Sequence, residues 1–222
     1  MDQRGYSPGA RPRLRTAYST EGLVADLAAV VDAVGQPVHV VGHDWGAVVG
    51  WAAAALRPEL LRTLTAVSVP HPGAMAAACL RSDQLLRSWY VAAFQVPWLP
   101  ERVLASRFGE QALRASGMDP ETLSRFRDEV VDAGALPGAL GWYRALPFSH
   151  PRVARRRVGI PTTFVWSDGD TAISRVAAHG AGDFVDAAYS YVELVGVSHW
   201  VPEQAPAELA AAIIDRVASD ER

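Results

Sequence analysis

Apolar positions recur along this chain with two different periods. Leu23, Val24, Leu27, Val30, Val31 and Val34 keep the three-and-four spacing of a helix face. Ser19 and Thr20 offer a cap ahead of them and Gly35 a stop behind. Residues 37–41 instead form a short β-branched run, the pattern of a fully buried parallel strand. Residues 64–69 read as a second buried strand, 162–166 as a third and 191–195 as a fourth. A helix of small residues is predicted over 45–56, stopping before Pro58. Leu209, Ile213, Ile214 and Val217 give a closing amphipathic helix.

Between Pro70 and Pro161 the texture changes. Nearly half of the aromatics lie here, with several prolines and helical patterns over 80–94 and 120–133, but no strand-like run. The stretch reads as a helical insertion between two strands of one sheet. The expected organisation is a core part over 1–70, a lid over 71–158 and a second core part over 159–222. No repeat and no low-complexity segment interrupts this plan.

Composition adds limits more than direction. A chain of 222 residues, half of them hydrophobic and a fifth charged, can bury a sizeable core. Its net charge of −3 gives no electrostatic reason to expect nucleic acid or an anionic membrane as partner. All 21 basic residues are Arg, which fits codon bias better than phosphate recognition. The run Arg155-Arg156-Arg157 reads as a solvated loop. Cys79 is the only cysteine, so no disulfide can form within the chain, and its apolar setting suggests a small packing residue. No apolar run is long enough to span a bilayer and Met1-Asp2-Gln3-Arg4 does not open a secretory signal, so a cytoplasmic location is expected.

Candidate chemistry starts at Val40-Val41-Gly42-His43-Asp44-Trp45-Gly46. Here a strand runs straight into a helix through a turn flanked by two glycines, the Gly-x-nucleophile-x-Gly elbow that lifts one side chain clear of a sheet. The lifted residue is Asp44 where serine is more usual. A carboxylate that attacks an sp3 carbon leaves an ester, and water can cleave that ester at its carbonyl. A serine would leave an ether. The Asp44 elbow therefore points to epoxides or alkyl halides. A bare helix-capping role for Asp44 explains neither glycine.

An elbow nucleophile calls for an acid and then a histidine, in that chain order. Val165-Trp166-Ser167-Asp168-Gly169-Asp170 sets two acids past the third strand, and Gly196-Val197-Ser198-His199-Trp200 sets a histidine past the fourth. Both lie at carboxyl ends of strands, where open α/β sheets place their sites. His43, His71, His150 and His179 show no metal-ligand spacing, although His71 follows a strand end and could line a pocket. Leaving-group chemistry then separates the two substrate classes. An expelled alkoxide needs a proton, which a tyrosine with a pKa of about 10 can give at neutral pH. Halide needs only a donor such as an indole N–H. Ser88-Trp89-Tyr90 with Phe94-Gln95-Val96-Pro97, and Gly141-Trp142-Tyr143-Arg144, supply tyrosines inside the insertion.

Through these motifs the chain resembles the α/β-hydrolase fold family, and within it the epoxide hydrolases. The resemblance implies a mostly parallel sheet, of which this chain carries the second half, with a helical lid. It implies Asp44 as nucleophile, with the Trp45 N–H as an oxyanion-hole donor. It favours Asp170 over Asp168 as the acid, because 166–170 is similar to the family's Trp-Gly-x-x-Asp with Ser167 in place of the glycine. It implies His199 as the general base and Tyr90 and Tyr143 as proton donors. A small hydrophobic substrate is expected, and no metal or organic cofactor. Asp2-Gln3-Arg4-Gly5-Tyr6-Ser7 looks like the family's Asp-x-Arg-Gly segment, which follows its fourth strand. Four strands and the His-Gly-x-Pro loop, source of a second oxyanion donor, are accordingly expected to be missing, through a fragment or misplaced start ahead of a true truncation. Loss of one such donor typically costs about 100- to 1,000-fold. The strand at 37–41 would then present an open edge, with self-association as a consequence. Haloalkane dehalogenase and an inactive remnant of the fold are the alternative readings.

Overall fold

The computed structural model describes residues 2–149 and 151–221, so Met1, His150 and Arg222 lie outside the described residues. In chain order the elements are α1 (Thr20–Val34), β1 (Val38–His43), α2 (Trp45–Leu56), β2 (Leu61–Val67), α3 (Pro72–Arg81), α4 (Gln84–Arg87), α5 (Trp89–Ala93), α6 (Leu99–Leu104), α7 (Arg107–Ala115), α8 (Pro120–Phe126), α9 (Leu136–Ala145), α10 (Arg152–Arg155), β3 (Thr162–Ser167), α11 (Arg175–His179), β4 (Tyr189–Leu194), α12 (Val201–Gln204) and α13 (Pro206–Asp220). No helix among the described residues is long and apolar enough to cross a membrane.

The chain divides into two compact units. One comprises Leu27–Arg87 and His150–Arg222, the other Met1–Asp26 and Ser88–Ser149.

The first of these holds a four-stranded, wholly parallel sheet in the order β1-β2-β3-β4. Central strands β2 and β3 are buried almost throughout, as continuous apolar runs should be when helices cover both faces. Trp51 of α2 meets Phe164 of β3 on one face, while the next residue, Val165, joins Leu209 and Ala212 of α13 in a cluster on the other. This is the alternation of a strand applied to two helix layers. β1 departs from the expected full burial. Among the described residues it pairs only with β2, and Val41 is 46% exposed, because an apolar run reports burial potential and not the presence of a neighbour.

The other unit is helical. The pattern over 80–94 falls across both units and resolves into separate pieces, α3 and α4 in the sheet unit and α5 in the helical one, divided near Ser82 and Ser88. The pattern over 120–133 is α8 continued by a π-helical turn at Arg127–Asp132. Compactness also draws the boundaries away from 71 and 158. α3 packs with α10 and α11 beside the sheet, burying Gly73, Ala74 and Ala78. Residues 2–26, expected with the core, group with the helices up to 149. The cause is local: the Arg4 carbonyl accepts from the Trp142 indole N–H at 2.8 Å, and Gly5, at φ +98°, lies against the Gly138 backbone so closely that a Cβ would stand 2.9 Å from it. Cys79 is half-buried, and burial raises its thiol pKa.

Candidate active site

β1 ends at His43 and α2 begins at Trp45, which leaves Asp44 alone to turn the chain. Its backbone takes φ 52° and ψ −117°, unusual for a residue with a side chain, and its N–H is tied to the Val67 carbonyl of β2 at 3.2 Å. Gly42 makes the turn feasible: a Cβ there would lie 2.2 Å from the Gly46 carbonyl oxygen. Asp44 occupies the N-cap position of α2 yet makes no side-chain capping bond. The carboxylate is directed elsewhere.

It faces His199. Nε2 of the imidazole stands 3.4 Å from Asp44 Oδ1, and Nδ1 stands 2.7 Å from Asp170 Oδ2. Asp170 is itself fully buried, and its other oxygen accepts from the N–H groups of Ala172 and Ile173 at 2.7 and 3.0 Å. The histidine is thus held between two carboxylates, one buried and anchored, one 41% exposed. Asp168, the other acid of the pair, accepts from Gly196 N–H at 2.7 Å in an exposed turn and serves the loop. Of the two acids, only Asp170 reaches the imidazole.

The electrostatics follow this layout. Burial alone would lower the His199 pKa, but hydrogen bonds to Asp170 and Asp44 and the charges of both raise it to about 10. For Asp44, burial pushes upward, and the His199 hydrogen bond, the charges of His199 and His43 and a bond from the Trp45 N–H together hold it below the usual range. Burial chiefly lowers His43.

Tyr90 and Tyr143 belong to the helical unit. Their rings meet edge to face with centroids 6.0 Å apart, and both pack on Phe94, at 5.6 and 4.9 Å. The residue that builds this pair was not singled out from sequence. Arg144 donates to the Phe94 and Val96 carbonyls at 2.9 and 2.8 Å and grips Glu101 with two nitrogens at 2.5 and 2.9 Å. It thereby ties the segment after α5 to α9. Its place next to Tyr143 in Trp-Tyr-Arg was the available signal.

His71 serves packing and a helix cap. It is wholly buried, caps α3 by accepting from Gly73 N–H at 3.0 Å, and stacks on Phe184 at 4.5 Å. Burial pushes its pKa down to about 4. Two further anchors went unread in the sequence: Ser68 Oγ and His43 Nε2 each lie 2.9 Å from the His199 main-chain oxygen.

Comparison with known proteins agrees with this geometry. AB hydrolase superfamily protein YfhM of Bacillus subtilis is 31% identical over 96% of this chain and 78% of its own length. Human Epoxide hydrolase 4 is 29% identical over 93% of this chain, which spans only 60% of that protein. The crystal structure of Epoxide Hydrolase A from Mycobacterium thermoresistibile superposes with a TM-score of 0.75 at 26% identity, covering 98% of this chain and 81% of that one. A family model described as the alpha/beta hydrolase family matches residues 1–212. An aspartate elbow after β1, an acid after β3 and a histidine after β4 of one parallel sheet are thus set in a matching whole, and the chain belongs to the alpha/beta hydrolase family.

Proposed function

We propose that this chain opens epoxides to diols through an ester on Asp44. The observation that carries the reading is the Asp44 carboxylate itself, raised on an elbow, free of any capping role and placed 3.4 Å from a histidine that a buried acid orients. Relatives named as epoxide hydrolases support the substrate class.

In the first step an Asp44 oxygen forms a bond to one epoxide carbon while that carbon's bond to oxygen breaks. The electron pair goes to the oxygen, which takes a proton from Tyr90 or Tyr143. A hydroxyalkyl ester and a tyrosinate result. Ester formation also removes one of the two negative charges that raise His199, so the imidazolium releases its Nε2 proton to solvent, acts as a base in the next step, and regains that proton once Asp44 is again a carboxylate.

In the second step His199 takes a proton from water, and the hydroxide adds to the ester carbonyl of Asp44. The Trp45 N–H stabilises the oxyanion. Collapse breaks the bond to the alkyl oxygen, which takes the proton from His199. The diol leaves, and the proton left on the aspartic acid returns to the tyrosinate. Asp170 keeps the Nδ1 proton in place throughout, so that Nε2 is the basic nitrogen. A small hydrophobic epoxide is the substrate class we assign.

The test is intact-protein mass spectrometry after incubation with styrene oxide, comparing wild type with His199→Gln. Attack on carbon does not need the histidine, so the variant should accumulate an adduct that maps to Asp44. A folded variant that forms no adduct removes this reading and leaves halide displacement or an inactive fold.

A further inference from the structure

Ser68 lies at the tip of β2 in a conformation its residue type disfavours. Its φ is +66°, and the Val69 N–H bonds back to the Val67 carbonyl at 2.8 Å, closing a three-residue turn of the rare, strained kind. Glycine would adopt this turn without strain. Serine is present instead, and it is completely buried. Its main chain is fixed by a 2.9 Å bond from its N–H to the Val165 carbonyl of β3. The turn therefore holds one hydroxyl in one direction.

That direction is the histidine loop. Ser68 Oγ donates to the main-chain oxygen of His199 at 2.9 Å, and the same oxygen accepts from His43 Nε2 at 2.9 Å. One residue earlier, the Ser198 carbonyl accepts from Ser167 Oγ at 2.7 Å. Residues at the ends of β1, β2 and β3 thus grip two consecutive peptides of the loop that carries His199. The loop needs it: Val195, at its start, is 81% exposed, and Gly196 turns the chain at φ +74°.

We propose that Ser68 is a positioning residue for ester hydrolysis, its strained turn aiming a hydroxyl that fixes the His199 backbone and so the placement of the base. The inference rests on the reading of Asp44 as nucleophile and His199 as base. Ser68 touches neither reacting group and acts only through the histidine's carbonyl.

Two variants test it in the full chain. Ser68→Ala removes the hydroxyl and keeps the strained turn, and Ser68→Gly removes the hydroxyl and relieves the strain. Rapid quench with styrene oxide, read by mass spectrometry, separates formation of the Asp44 ester from its breakdown. Both variants should form the ester at the wild-type rate and break it down roughly 10- to 100-fold more slowly, as small misplacements of a catalytic group do. The pH profile of breakdown should shift as well, because a loosened His199 bonds Asp170 less well. Ser68→Gly should melt at or above the wild-type temperature, which separates the effect from lost stability. Breakdown at the wild-type rate in both variants overturns the role of Ser68 alone. A wild-type chain that forms no ester overturns the nucleophile reading and this one together.

Discussion

His199 Nδ1 and Asp170 Oδ2 are 2.7 Å apart, and both side chains are buried. A carboxylate can only accept at this distance, so the bond fixes the proton on Nδ1 and leaves Nε2 toward Asp44. Asp170→Asn offers an amide that can donate to Nδ1 and reverse the tautomer. Its ester breakdown should fall on the order of 10,000-fold with the fold kept. Asp168→Asn, at the exposed turn, should leave breakdown near wild type. Single-turnover kinetics on both variants checks the assignment, and equal losses would count against it.

Stability should decline on both sides of neutrality, for different histidines. His199 has its pKa raised from 6.5 to about 10, so its contribution is complete below pH 6.5 and is lost as pH rises toward 10. His71 is lowered from 6.5 to about 4, so the folded state resists its protonation and stability drops as pH falls from 6.5 toward 4. Asp44→Asn removes one of the charges that raise His199 and should flatten the alkaline limb only. Melting temperatures measured from pH 4 to 10 for wild type and this variant decide the matter.

Arg144 and Glu101 form a bidentate pair, with side chains 10% and 20% exposed. Burial pushes the Glu101 pKa up most strongly, and the Arg144 hydrogen bond, a backbone hydrogen bond and the Arg144 charge together hold it below its usual value. Arg144→Met leaves the carboxylate and two carbonyls without their partner and should cost about 3–5 kcal/mol. Arg144→Lys should recover part of this, since an ammonium cannot match the planar fork. Urea denaturation gives both values, and a loss below about 1 kcal/mol in the Met variant would show that water replaces the pair.

β1 carries no Asp, Glu, Lys or Arg, has among the described residues a strand partner on one side only, and exposes Val41. Such an edge invites pairing with a second copy. We expect association that grows with concentration and is suppressed by Val41→Lys. Sedimentation velocity across a range of concentrations is the check, and a wild-type monomer at all of them counts against use of the edge.

The elements were legible where the signal is local. The bounds of α2 match the predicted helix because Gly42 and Gly46 force the turn before it and Pro58 ends it. Strands β1 to β4 fall within a few residues of the predicted runs, and Asp44, Asp170 and His199 could be named as candidates from motif and order alone. The short breaks at Ser82 and Ser88 were not legible, because helical periodicity carries across them.

What the tertiary structure decided is which residues meet. Two acids stood two positions apart with equal claims in composition, and only packing buried Asp170 against the imidazole while leaving Asp168 on an exposed turn. The β-branched run of β1 encoded a capacity for burial, but the edge position set its exposure. Residues 2–26 joined the helical unit through the close approach of Gly5 and Gly138, which no period in the sequence announces. Ser68 gave no sign at all, since a serine after a strand is ordinary and its partner lies 131 residues away. Periodicity is written by neighbours along the chain, whereas a site is assembled by groups that only folding brings within hydrogen-bond reach.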